Sequence, residues 1–453
     1  MSKVIKIHRG LDISLKGSAE KVLAKFPLSM DYAVKPIDFQ GLTPKLLVKE
    51  GDTVLAGMPL FVDKYRPEIR FASPVSGTVK EIVRGDKRKL LAVTVTPTPE
   101  QQHLQYKIKV LETLPREELI AFMLESGVWS FMKQRPYGIV AHHNDKPKAI
   151  FISCFDTAPL APDIEYVLNG EAEAFQKGID VLRKLCDNIH VGTIETPSAT
   201  SIIPKIKGIT MHAFAGPHPA GNVGIQIYHL SPINKGEIVW TITPQHVVSL
   251  GRLFLKGIYD VSKVIALAGS EVKKPRYFRI IDGANIAVIR EQLYNDKPTR
   301  YISGNVLTGT NIGTDGHLGF YDNLITVIPE GDHYEFLGWA NPLRLKKYSV
   351  SRSYFSWIFP KKEYALDTNI NGGQRAFVMT GEYEKVLPMD IYPVYLLKAI
   401  LAEDIDKMEQ LGIYEVIEED LALCEFVCTS KIDVQDILRK GIDLMIKEMG
   451  DNI

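Results

Sequence analysis

Between Val48 and Val83, short β-branched runs are cut by Gly51-Asp52, Gly57 and Pro74-Val75-Ser76-Gly77. Gly and Asp supply the positive φ that tight reversals need, so these strands fold back on one another into a compact all-β unit. Leu90 to Thr96 (LLAVTVT), stopped by Pro97 and Pro99, closes the unit and predicts a boundary near residue 100. Val4-Ile5-Lys6-Ile7 alternates as an edge strand does. With the segment punctuated by Gly10, Gly17 and Pro27, it is expected to complete the sheet of this opening module.

Past Pro115 the period changes from two to 3.6. Arg116 to Ser126 predicts an amphipathic helix with acids in its first turn and Gly127 as its C-cap, followed by the aromatic and cationic run GVWSFMKQRPY. Ala149 to Phe155 predicts a buried strand, Glu171 to Cys186 a helix with an apolar stripe, and His190 to Glu195 another strand. The runs Ile209 to Phe214, Ile225 to His229, Ile238 to Ile242 and Val264 to Leu267, with a helix over Pro244 to Leu255, continue the alternation. Repeated strand, helix, strand order implies a parallel sheet with helices on its faces. Residues 258–330 turn β-rich again, around YFRII, ISGNVLTGTNIG and NLITVIPEG, and predict a small β-grasp-like domain. Residues 331–387 mix aromatics with Lys346, Lys347, Arg352, Lys361 and Lys362 and are expected to link the domains. After Pro388 the chain is expected to be helical, and Val434, Ile437, Leu438, Ile442, Met445 and Ile446 form one stripe on a final amphipathic helix.

The fold class is therefore multidomain α/β, with 1–100 all-β, 101–257 Rossmann-like, 258–330 β-grasp, 331–387 extended and 388–453 helical. The opening unit resembles the barrel-sandwich hybrid domains that carry biotin or lipoate, with its GD-V--G--L hairpin followed by SPVSG-V. Where those carriers present their lysine, this chain has Tyr65-Arg66-Pro67. Arg66 cannot form the carrier amide and Pro67 stiffens the turn, so docking is favoured over carriage, with neighbouring Lys64 the one residue open to modification.

A length of 453 residues fits roughly three domains. Lys plus Arg and Asp plus Glu each number 54, which leaves no overall basic field for a nucleic acid. Four cysteines are too few for a disulfide framework and suit a reducing compartment. The opening MSKVIKIHRGLDI has no apolar signal core, and the most apolar stretch, Ile391 to Ala402, is short and interrupted by Lys398. Any membrane association is thus expected to be peripheral or through a partner.

A dinucleotide-binding sheet needs glycines after its first strand to admit the pyrophosphate, but here Asp156-Thr157-Ala158-Pro159-Leu160-Ala161-Pro162 follows Phe155. A Rossmann-like architecture without its ligand is expected. His212, His218 and His229 surround the loop Gly216-Pro217-His218-Pro219-Ala220-Gly221, without the spacing of zinc ligands, and a structural turn accounts for them better. Cys424 and Cys428 cannot supply the four thiolates of a cubane cluster. Trp129, Phe131, Arg135 and Tyr137 combine flat apolar surface with a fixed cation, which suits an aromatic headgroup carrying carbonyl oxygens; ordinary interdomain packing accounts for the same residues.

Seven stretches in order carry a resemblance over almost the full length: RGLDI from Arg9, FASPVSGTVKEIVRGDKR from Phe71, ESGVWSFMKQRP from Glu125, GPHPAG from Gly216, SGNVLTGT from Ser303, GEYEKVLPMD from Gly381 and EEDLALCEFVC from Glu418. With these the chain resembles the A-subunit family of the bacterial sodium-translocating NADH:quinone reductases. The resemblance implies a peripheral subunit on the cytoplasmic side of the bacterial inner membrane, one of six, docked on five others and chiefly on the membrane-embedded B-subunit. It implies no activity for the chain alone and no tightly bound cofactor, the flavins (FAD, FMN, riboflavin) and iron–sulfur centre lying in other subunits and NADH and quinone being substrates of the complex. It also implies a quinone contact, with Trp129, Phe131, Arg135 and Tyr137 as its residues and none of them catalytic; a ligand-free scaffold is the alternative.

Overall fold

The strand Ile150–Ser153 lies at the middle of a seven-stranded sheet, parallel to Ile189–Ile194 on one side and to Val239–Ile242 on the other. The computed structural model describes residues 4–108, 110–294, 297–331, 333, 343–345, 347–359 and 361–449. Of the expected linker 331–387, positions 332, 334–342, 346 and 360 therefore lie outside the described residues.

The chain leaves Ile150–Ser153 through helix Ala172–Leu185 to reach the Ile189–Ile194 side, then comes back through helix Val223–Leu230 to Val239–Ile242 on the other. Connections that diverge in this way open a crevice at the carboxyl ends of the two central strands, where open α/β sheets bind ligands. Met132–Arg135 runs antiparallel along Val239–Ile242 and extends the sheet past this crevice. The run around Ile225, expected to continue the α/β alternation, forms the helix Val223–Leu230, with Ile225 and Gln226 buried.

Helices Ala172–Leu185 and Pro244–Lys256 cover one face and touch backbone to backbone. A Cβ at Gly251 would stand 1.7 Å from the Ala174 carbonyl oxygen, and one at Gly178 would stand 2.2 Å from that of Val247. Thr243 caps the second helix by accepting from the His246 amide at 3.3 Å, and Pro244 occupies its first turn.

The opening module is a four-stranded sheet (Tyr32–Val34, Leu90–Pro97, Gly77–Arg84, Thr53–Val54) facing a three-stranded one (Pro44–Leu46, Pro59–Asp63, Arg70–Ala72), with Leu60, Phe61, Ile69, Val75 and Val93 buried between. The first 25 residues do not complete it. Ile5–Lys6 pairs in parallel with Phe214 and Ala215 at the edge of the α/β sheet, and Glu20–Lys25 pairs with Arg276–Ile281 at the edge of the six-stranded β-grasp sheet. The amino-terminal segment thus ties the α/β sheet to the β-grasp sheet. Among the described residues, the helices Pro393–Leu401 and Val434–Met449 pack through Gly441 against Ile400, with Leu396, Leu397, Leu438 and Ile442 buried.

Candidate functional site

A cavity of about 430 Å³ opens at the carboxyl ends of the central strands, lined there by Ser153, Asp156, Thr241 and Thr243. Other parts of the chain close it: Phe131 at the end of the turn Val128–Phe131 with Lys133 and Arg135 of the strand that follows, the Gly304-Asn305 turn with Tyr321 and Asp322 of the β-grasp domain, Glu418, Glu419 and Arg439 of the helical domain, and Asp38 and Gln40 of the opening module. The cavity is thus shared by the opening module and the α/β, β-grasp and helical parts. Four of the seven stretches that carry the resemblance, those beginning at Glu125, Gly216, Ser303 and Glu418, contribute to its wall.

Of its aromatic residues, Phe131 and Tyr321 line the cavity, and the buried His246 backs them. The imidazole lies flat on Phe131 (4.6 Å between centroids, 9° between planes) and on Phe320 (5.0 Å), and its Nδ1 meets the Thr243 hydroxyl at 3.0 Å. Burial pushes its pKa well below the usual histidine range, so the ring is neutral. Tyr321 stands edge-on to it and donates its hydroxyl to the Ser130 carbonyl at 2.6 Å.

On the Tyr321 ring rests the Lys133 ammonium, 3.7 Å from the centroid. Burial, the first cause, lowers its pKa; nearby Glu419 and Asp322 oppose that, and Arg135 adds to it. Among the described residues, Lys133 is the cation left facing the cavity. Arg135 is occupied: it donates to Asp420 at 2.6 Å and to Glu419, with Arg135 and Asp420 both buried. The Asn305 carboxamide holds the β-grasp turn by accepting from the amides of Leu307 and Thr308, at 2.8 and 3.0 Å. Ser303 ties that turn to Asp322 at 2.5 Å, and Gly304, at φ +93°, makes the reversal.

Of the residues singled out in the sequence, Phe131 and Arg135 line the cavity, whereas Trp129 and Tyr137 are not among its lining residues. Trp129, in the same turn as Phe131, is buried, donating its indole N–H to the Ala141 carbonyl at 2.7 Å and standing edge-on to Trp240. Tyr137 packs edge-on against Tyr414, and its carbonyl accepts from Arg439 at 3.1 Å; burial raises its hydroxyl to about 12. Lys133, His246, Tyr321 and Asn305 were not singled out. A lysine between the apolar Met132 and the buried Gln134 was the one local signal for Lys133.

The histidines of the loop at 216–221 do not converge. His212 bonds His190 at 2.9 Å, His229 meets the Pro388 carbonyl at 3.1 Å, and His218 meets the Thr157 hydroxyl at 3.1 Å while its amide donates to Asp12 at 2.9 Å. This loop therefore clasps the RGLDI segment: a Cβ at Gly10 would stand 2.1 Å from the His218 carbonyl oxygen. Cys154, Cys424 and Cys428 are buried thiols, and burial pushes Cys154 and Cys424 up. At the turn where a carrier would present lysine, Arg66 bonds Asp63 at 2.9 Å and reaches the Val140 carbonyl at 3.4 Å, so the turn docks on the α/β domain. Among the described residues no helix is long and apolar enough to cross a membrane.

Three family descriptions match the chain: the NqrA N-terminal barrel-sandwich hybrid domain over residues 5–98, the NqrA second alpha/beta domain over 114–259 and the NQRA C-terminal domain over 264–313. The chain is 38% identical to the A-subunit of the Na(+)-translocating NADH-quinone reductase of Neisseria meningitidis, over 98% of this chain and 100% of that one. It is 37% identical to the A-subunit of the same reductase from Yersinia pestis, over 96% of this chain and 98% of that one. Among solved structures, NAD+-reducing [NiFe]-hydrogenase in the H2-reduced state is similar at a TM-score of 0.39 and 11% identity, over 74% of this chain and 64% of that one, a likeness too distant to carry an argument. Identity of this extent, along the whole length and through each domain in order, means that the chain belongs to the NqrA family, the A-subunits of the Na(+)-translocating NADH-quinone reductases.

Proposed function

We propose that this chain is the peripheral subunit that docks on the membrane subunits, chiefly the B-subunit, at the cytoplasmic face of the inner membrane and offers the quinone a place in the cavity at the strand ends. In this reading it holds no flavin or iron–sulfur centre of its own. Electrons come from centres in the neighbouring subunits, and the quinone takes up two electrons and two protons to become the hydroquinone.

The observation that carries the reading is that the aromatic rings of Phe131 and Tyr321, Phe131 backed by the stacked His246, share one cavity with the Lys133 ammonium. A planar ring with carbonyl oxygens suits such a surface, and reduction builds negative charge on those oxygens that a nearby fixed cation stabilises. Phe131 and Lys133 face the ligand. Arg135, already neutralised by Asp420 and Glu419, contributes through the frame it holds, and Trp129 and Tyr137 fix the strand and turn on either side of it.

Calorimetric titration of the purified chain with a short-chain quinone analogue tests this. Saturable heat whose affinity falls in Phe131→Ala and Lys133→Met supports it; no saturable heat in the unsubstituted chain leaves the ligand-free scaffold.

A further inference from the structure

From Arg344 to Lys362 the sequence carries six cations (Arg344, Lys346, Lys347, Arg352, Lys361, Lys362) and no acid. Within it the single helical turn Phe355–Ile358 and the residue after it turn four large apolar side chains to solvent: Phe355 is 44% exposed, Trp357 48%, Ile358 55% and Phe359 52%. A group of adjacent aromatics and an isoleucine on the outside of a folded chain marks a contact surface.

The turn is anchored from beneath. Ser356, its one buried residue, offers its carbonyl to the Tyr364 hydroxyl at 3.2 Å, and the Phe359 amide donates to the same carbonyl at 3.1 Å. Tyr364 is itself tied to the amino-terminal strap, its amide donating to Ser14 at 2.9 Å and its carbonyl accepting from Lys16 at 3.0 Å. The apolar side chains are thus presented by a held turn. The exposed Arg352 places its guanidinium 5.5 Å from the centre of the Trp357 ring, and exposed Lys361 follows on the far side.

Two kinds of neighbour accept exposed apolar side chains, another protein or a bilayer. The charge favours the bilayer: aromatic residues flanked by the exposed Arg352 and Lys361, with Glu363 the nearest carboxylate in sequence, match the acyl boundary and phosphates of an anionic leaflet. We infer that Trp357, Ile358 and Phe359 insert into the interface of an anionic phospholipid bilayer while Arg352 and Lys361 meet its phosphates. This goes beyond docking on other subunits, because it needs lipid alone.

The test mixes the purified full chain with extruded vesicles of phosphatidylcholine, with or without phosphatidylglycerol, followed by flotation. The chain floats with the phosphatidylglycerol vesicles at low salt and is released at high salt. Binding falls at least about tenfold in Trp357→Ser combined with Phe359→Ser, and also in Arg352→Glu combined with Lys361→Glu, with the unfolding midpoint unchanged. Bromine-labelled acyl chains quench the emission of the unsubstituted chain more than that of Trp357→Phe. Tyr392→Ser combined with Leu401→Ser, at another exposed apolar position, leaves binding unchanged. Failure to float with anionic vesicles, equal binding by the Trp357 and Phe359 double variant, or equal quenching in Trp357→Phe overturns the inference and assigns the patch to a protein neighbour. The quinone titration contains no lipid, so the two proposals fail separately.

Discussion

Arg135 and Asp420 are 285 residues apart in sequence, and the guanidinium donates to the carboxylate at 2.6 Å with both side chains buried. The pair joins the strand that walls the cavity to the helical domain, and Glu419 and the Arg439–Glu418 pair extend it. Removing one partner of a buried pair leaves the other charge uncompensated, at a cost of about 3–5 kcal/mol. Arg135→Ala is therefore expected to lower the unfolding midpoint strongly, while Arg135→Met with Asp420→Leu recovers much of the loss. Chemical denaturation of the single and double variants measures this coupling, and additive losses would count against it. Reduced turnover in Arg135→Ala must accordingly be corrected for folded fraction before it is read as ligand binding.

Lys133 behaves differently because its ammonium rests on a ring. Lys133→Met keeps the apolar stem and discards a charge that burial disfavours, so stability is expected to hold or to rise slightly. Quinone-analogue affinity is expected to fall by about tenfold, which corresponds to about 1.4 kcal/mol for one lost charged contact. Titration and thermal unfolding on the same samples separate the two effects.

Helix contact at Gly251 predicts a steric failure. With the Ala174 carbonyl 1.7 Å from a Cβ at that position, Gly251→Ala forces the two helices apart. The expected destabilisation is about 1–3 kcal/mol from overpacking, visible as a lower midpoint in denaturant; Gly170→Ala, with no atom near its Cβ, costs less, and only through its positive φ.

The clasp at His218 predicts a pH dependence. Burial pulls this histidine down to about 4 from 6.5, so the folded chain binds fewer protons than the unfolded chain between those values. Stability from this group is therefore complete above the unfolded value and lost as pH falls towards 4, a contribution of about 3 kcal/mol. Asp282 acts in the opposite sense: burial, offset in part by Lys263, raises it to about 6, so its contribution is complete below the unfolded value near 3.8 and lost as pH rises through 6. The difference between the unsubstituted chain and His218→Gln, measured by denaturation from pH 4 to 7, isolates the histidine; parallel curves would contradict the assignment.

Local pattern carried the parts of the fold that local physics decides. Glycine turns and β-branched runs announced the barrel-sandwich hairpins, and the helix spanning Ala172–Leu185 was visible in its apolar stripe. What could not be read were pairings across long separations. Ile5–Lys6 alternates as any edge strand does, and nothing in two residues says that their partner is Phe214. The site was legible in the same uneven way. Phe131 and Arg135 stood out as an aromatic and a cation close together, but that Arg135 is neutralised by Asp420 depends on a contact between domains. Trp129 stood out by its chemistry and is buried for the same reason, a large apolar ring with one N–H that Ala141 satisfies.

The structure of the assembled reductase with quinone bound tests the central claim most directly. The account predicts a headgroup against Phe131, with a carbonyl oxygen within hydrogen-bond reach of the Lys133 ammonium. A headgroup bound wholly within one of the other subunits, with Phe131, Lys133 and Tyr321 facing no ligand, would contradict it.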